Sequence, residues 1–227
     1  MAIHIQYIFR FQDGREEQFQ MAFNPQNMDL IASDLPPPAT WTALGFQQCE
    51  HCPLQPSDTP VCPPAHHLQD AVNRLGQELS YTEVSLEVTS AERTVITQTN
   101  MASAFASLMG LIMATTGCPY TTFFKPMARM HLPLASETET AFRALATYLI
   151  GQHLSAQNSD NLAGLETIYR DMEKVNSGFA RRLQKSGRLV EINSLVKLDI
   201  HAKNLSEFLK ESLEDLAPFF EDYLKRP

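Results

Sequence analysis

The stretch "IHIQYIFRFQDGREEQFQMAF", residues 3–23, decides the fold. Ile3, Ile5, Tyr7, Phe9 and Phe11 fall on one side of a period-2 pattern, and Phe19, Met21 and Phe23 resume it after Asp13-Gly14. Side chains alternate between the two faces of a strand, and Asp-Gly is a two-residue turn signal, so the stretch reads as a β-hairpin with one apolar face. A second hairpin is expected over 81–99, with Val84, Leu86 and Val88 on one arm and Val95 and Thr97 on the other. Four such strands make one antiparallel sheet buried on one face.

Beyond Thr99 the period changes. Thr99 or Asn100 caps the apolar helix "MASAFASLMGLIMATT", and Gly117 fits its stop. A short helix is expected over "TTFFKPMARM", bounded by Pro126, and Ser136 to Glu139 forms a capping box that opens a helix running to about Ser155. The polar run "AQNSDN", 156–161, marks a domain boundary. Past it, Leu162, Leu165, Tyr169, Met172, Asn176, Phe179 and Leu183 recur at steps of three and four, and the pattern resumes from Leu195 to Tyr223. This is a heptad-type seam, with Asn176 at a position where a polar residue sets register and Pro218 expected to kink the second helix.

The fold expected is therefore α+β. A small antiparallel sheet of two β-hairpins packs with helices over 1–155, and a C-terminal antiparallel helical hairpin occupies 156–227. A helix pair cannot bury two apolar stripes alone, so it docks on the front domain or forms a homodimer with a second copy.

Composition narrows the function. The chain has 227 residues, 26 acidic against 18 basic, and a net charge of −8. Phosphate binding needs clustered Lys and Arg, so a broad nucleic-acid face is excluded. The N-terminus has no basic start followed by an unbroken apolar run, and the most apolar segment, Ala102 to Ala114, falls short of the roughly 20 residues a membrane span requires. No membrane partner and a cytoplasmic location are expected.

Between the hairpins, residues 24–67 read as irregular, with Pro36, Pro37 and Pro38 in a row and proline density arguing against regular helix. A loop this long needs something to tie it down. Here lie Cys49, Cys52 and Cys62; the fourth cysteine, Cys118, follows the apolar helix. A C-x2-C pair with a third Cys nearby and a fourth at a helix end suits a closed tetrahedral Zn²⁺ site. An iron–sulfur cluster is the alternative, because Cys52, Cys62 and Cys118 each precede proline, although tight ferredoxin spacing is missing. A dithiol redox pair or unligated thiols are the further readings. His51, His66 and His67 are substitute ligands, and more simply solvated loop residues.

The motifs "CEHCPL", "CP", "SLMGLIMATTGCP" and "FFKPMARMHLPLASETETAFRALATYLI" resemble an uncharacterised family of bacterial proteins with a domain of unknown function, over roughly residues 3–155 and into the remainder. The resemblance brings a motif pattern and no activity. It implies that Cys49, Cys52, Cys62 and Cys118 belong to one set.

Catalytic signatures are missing: the sequence holds no GxGxxG, GxxxxGK[ST], GxSxG or HExxH. Lys125 and Arg129, one helical turn apart with His131 nearby, either hold an anion, as in a small-molecule sensor, or pair with carboxylates. The function expected is a structural four-Cys metal protein with a binding or assembly role; the alternative is a redox or iron–sulfur protein.

Overall fold

The alternation of residues 3–23 is realised as two paired strands in the computed structural model, which describes residues 1–31, 35–155, 162–187 and 205–225. Strand β1, Ile3–Phe11, pairs antiparallel with β2, Glu16–Phe23, in the register Ile5↔Met21, Tyr7↔Phe19. The turn between them is longer than the Asp-Gly signal suggests. Gly14 N–H donates to Phe11 O at 3.1 Å and Phe11 N–H to Arg15 O at 2.9 Å, with Gly14 at φ +86°. A three-residue turn ending in a left-handed residue fits this pattern, and Gly takes that conformation without a Cβ clash.

A two-residue strand β3, Leu30–Ile31, extends the sheet beside β2. On the other side of β1 lie β4, Glu83–Ser90, and β5, Thr94–Asn100, giving the order β3-β2-β1-β4-β5 with every pairing antiparallel. Val84, Leu86 and Val88 are buried beside Phe11, Phe9 and Tyr7, their partners in register. The opposite face is polar, with Arg10 bridging Glu16 on β2 and Glu87 on β4.

Six α-helices are present among the described residues. Helix α1, Pro63–Leu75, was not legible: proline density argued against helix through residue 67, yet the helix begins at Pro63-Pro64. Prolines at the first helical positions sacrifice only N–H groups that have no intrahelical partner, so they start this helix instead of breaking it. Leu68, Ala71, Val72 and Leu75 form its buried stripe.

Helix α2, Met101–Thr115, starts where expected, with Asn100 Oδ1 accepting from Ser103 N–H, and Gly117 follows at φ +82°. It is buried nearly all round and packs with α1 against the sheet in one core. The "TTFFKPMARM" segment divides into a 3₁₀ stretch, Pro119–Phe124, and a short α3, Lys125–Arg129. Helix α4, Glu137–Leu154, opens on the expected capping box at Ser136 and Glu139.

Helix α5, Ala163–Lys185, sends Val175, Phe179 and Leu183 into the main core, and Leu165 and Tyr169 into a second cluster with Ala144, Leu145 and Tyr148 of α4. The last helix, α6, Leu205–Leu224, contains Pro218 and contacts both α4 and α5, with Leu216 against that second cluster. The proposed boundary at 156–161 and the part of the second heptad run at Leu195, Leu198 and Ala202 lie outside the described residues. Among the described residues, no single helix is long and apolar enough to cross a membrane.

Candidate metal centre

The long loop between β3 and α1 is tied down at its base by protein groups. Ala43 and Val61 form an antiparallel bridge, Leu44 N–H donates to Pro60 O at 2.9 Å, and Cys62 N–H donates to Thr42 O at 2.8 Å. The polyproline segment is held from α1: Gln69 donates to Pro37 O at 2.9 Å and accepts from Ala39 N–H at 2.8 Å. Residues 44–60 thus leave and return through one narrow base, and Cys49 and Cys52 ride on that excursion.

Arg182 of α5 closes the base from inside. It is 2% exposed, and its guanidinium donates to Trp41 O and Ala43 O, both at 2.6 Å, and to Leu44 O at 3.1 Å. Among the described residues no carboxylate lies at ion-pair distance from it. A buried charge without a counter-charge is costly, so the polar groups around it must compensate. The charged neighbours that act on Arg182 are Cys62, Cys49 and Cys52, and they favour its protonated form while burial disfavours it.

The four cysteines are free thiols, each partly buried. Burial pushes the Cys49 thiol up to about 11, and Cys62, Cys118 and Cys52 push it the same way. Burial likewise raises Cys118 to about 11, with Cys62 and Cys52 adding to it. Like charges act on one another only when near, so residues 13 to 69 positions from Cys49 share one neighbourhood. Reactive cysteines have lowered pKa values, and the shifts of Cys49, Cys62 and Cys118 run the other way. Among the described residues, however, no three or more His, Cys, Asp or Glu side chains are gathered closely enough to hold a metal ion.

Elements around the thiols explain their placement. Cys49 Sγ faces Val175 O at 4.0 Å, and Gly178 leaves room for the loop against α5. Tyr120, just after Cys118, donates to His51 O at 2.9 Å and meets the His51 ring at a tilt, with centroids 4.2 Å apart. Of the three histidines considered as ligands, His66 and His67 bond the carbonyls of Pro36 and Pro63. Both ring nitrogens of His51 are buried and have no hydrogen-bond partner among the described residues.

The Lys125/Arg129 anion face does not form. Lys125 pairs with Asp29, and Arg129 reaches Glu92 at 3.4 Å. Each cation is turned to its own carboxylate, the alternative that the acidic composition favoured. Arg182 was missed in the sequence. Its signal was a charged residue at i+3 from Phe179 and i+7 from Val175, on an otherwise apolar stripe.

Residues 5–221 match the family described as Domain of unknown function (DUF6901), and the chain belongs to that family. No curated protein and no solved structure matches the chain.

Proposed function

We propose that this member of the DUF6901 family is a cytoplasmic protein with a structural zinc site and a binding or assembly role. Cys49, Cys52, Cys62 and Cys118 would hold the ion. The observation that carries this reading is four free thiols in one neighbourhood beside a buried Arg182 that lacks a carboxylate. Four thiolates around Zn²⁺ leave a net charge of about −2, and a nearby guanidinium offsets part of it. All four sit outside regular secondary structure, where side chains have freedom to turn toward a common point. Metal binding would then add directly to folding free energy.

The assembly role rests on α6, which exposes Leu213, Phe219, Phe220 and Leu224. An apolar surface of this kind is suited to a second copy of the chain, forming a homodimer.

Elemental analysis of protein purified without added metal or chelator, with its visible spectrum, tests the site. Near one zinc per chain and no colour supports it. Iron with sulfide and absorbance near 400 nm replaces it with an electron-transfer or sensing role. Protein free of metal refutes it. Solution mass at micromolar concentration tests the dimer.

A further inference from the structure

A cavity of about 670 Å³ opens between the edge strand β5 and helices α2 to α5, and none of the four cysteines lines it. Its origin lies in side-chain size. Thr97 and Thr99 of β5 face Ser103, Ser107 and Gly110 of α2, so small residues stand where a filled core would place large ones. Leu111, Phe124, Met127 and Met172 supply apolar wall. The volume lies within the range of about 300–1,000 Å³ typical of small-molecule sites, which combine apolar walls with a few placed polar groups.

Two of those polar groups, Asn176 and Arg143, have hydrogen-bonding capacity left over among the described residues. Asn176 is 1% exposed, lines the cavity, and has neither its amide N–H₂ nor its oxygen hydrogen-bonded among the described residues. A buried amide left unpaired is destabilising, so its retention points to a partner that comes from outside the chain. Arg143 of α4 also lines the cavity. Its guanidinium is anchored by Nη2 to Met127 O at 2.6 Å and Met130 O at 3.2 Å. No carboxylate lies at ion-pair distance among the described residues. Its electrostatic neighbours are Tyr169 and Glu139, and the Glu139 carboxylate accepts from Ser136 N–H at 2.7 Å in the capping box. The acidic residue lining the cavity, Glu137, is exposed at its mouth.

Spacing relates the two ends. Tyr169, Met172 and Asn176 are at i, i+3 and i+7 on α5, one face of the helix, so Tyr169 and Asn176 stand about 10 Å apart along the axis. Tyr169 belongs with the Arg143 end, Met172 is the apolar middle, and Asn176 is the far polar point.

We infer that this cavity binds an amphipathic organic acid, its carboxylate on Arg143, its apolar body along Met172 and a hydrogen-bonding group on Asn176. An opposite charge and a bidentate-capable guanidinium select the acid, and the amide selects a hydroxyl or amide at the other end.

Titration calorimetry of the full chain with 10-hydroxydecanoate, decanoate and decanediol tests this. The hydroxy acid is expected to bind at least about tenfold more tightly than either analogue, since each lacks one polar contact. Arg143→Gln should erase the preference for the acid over the diol, and Arg143→Lys should keep part of it. Asn176→Leu should erase the preference for the hydroxy acid over decanoate while raising Tm, because it removes an unpaired amide. No binding by the hydroxy acid, or equal binding of the acid and the diol to the unaltered chain, overturns the proposal. These two readouts need no variant and no metal, so they stand whether or not the cysteines hold zinc.

Discussion

Gly178 of α5 and Cys49 of the loop approach so closely that a Cβ on Gly178 would lie 2.5 Å from Cys49 Sγ and 3.3 Å from Cys49 Cα. Real Cβ atoms do not come that near, so Cys49 Sγ must turn away and the loop behind it must give by a few tenths of an ångström. Gly178→Ala should therefore cost about 1–3 kcal/mol from overpacking, outweighing the roughly 0.5–1 kcal/mol that Ala gains over Gly inside a helix. At Gly151 of α4 nothing lies within 4 Å, so Gly151→Ala should gain that smaller amount. Urea midpoints of the two variants compare them directly. Equal stability would mean that the Cys49 loop does not sit on α5.

The cysteines give a second comparison. Cys118 follows α2, while Cys52 lies on the loop 66 residues earlier. If both are zinc ligands, Cys118→Ser and Cys52→Ser should each lower metal content to well below one per chain and shift the unfolding midpoint by a similar amount. Metal content retained by Cys118→Ser removes that residue from the ligand set.

Much of this was readable in advance because the responsible signals are local. Period-2 runs named β1, β2, β4 and the inner face of β5, and Asn100 and Ser136 announced two helix starts through chemistry confined to four residues. Helix α1 escaped because Pro63-Pro64 looks like a breaker unless the helix is known to begin there. Asn176 was read as a register device within a helical seam; its unpaired amide appears only once the cavity beside α2 exists. Arg143 meets Met127 and Met130 across a turn, and Arg182 meets Trp41 from 141 residues away. Contacts of that span leave no periodic trace. What the sequence did show at Arg182 was an oddity, a charge on an apolar stripe, and that kind of oddity marks the sites here.

That buried guanidinium yields a third prediction. Arg182 satisfies three carbonyls at the base of the loop, and removing it leaves buried acceptors unpaired. Arg182→Met should destabilise the fold by about 3 kcal/mol or more. Arg182→Lys should recover only part, since one ammonium cannot span the geometry of the fork. Zinc affinity, measured by competition with a chromophoric chelator, should fall more in Arg182→Met than in Arg182→Lys, because only the latter keeps a positive charge beside the thiolates. The reverse order would show that charge at this position has no bearing on the thiols.

His131 supplies a prediction in pH. Its Nε2 lies 2.5 Å from the Tyr7 hydroxyl, which also meets Ser107 Oγ at 2.9 Å, and Arg143 is its charged neighbour. Burial, reinforced by Arg143, lowers its pKa from 6.5 to about 4, while burial raises that of Tyr7. The imidazole is therefore neutral in the folded protein at pH values where the unfolded chain binds a proton. Above pH 6.5 both states are neutral and His131 adds no pH dependence. Between pH 6.5 and 4 the unfolded state holds one more proton, so stability falls as the pH falls; below 4 the loss levels off, at about 3 kcal/mol. Carboxylates and His67 titrate in the same window, so the variant isolates the effect. His131→Asn keeps a polar side chain near Tyr7 and has no proton to gain. The difference in unfolding free energy between pH 7.5 and pH 4.5 should shrink by about 2–3 kcal/mol in His131→Asn relative to the unaltered chain. An unchanged difference would mean that the imidazole is solvated, and that the Tyr7–His131 contact does not hold it neutral at the cavity wall.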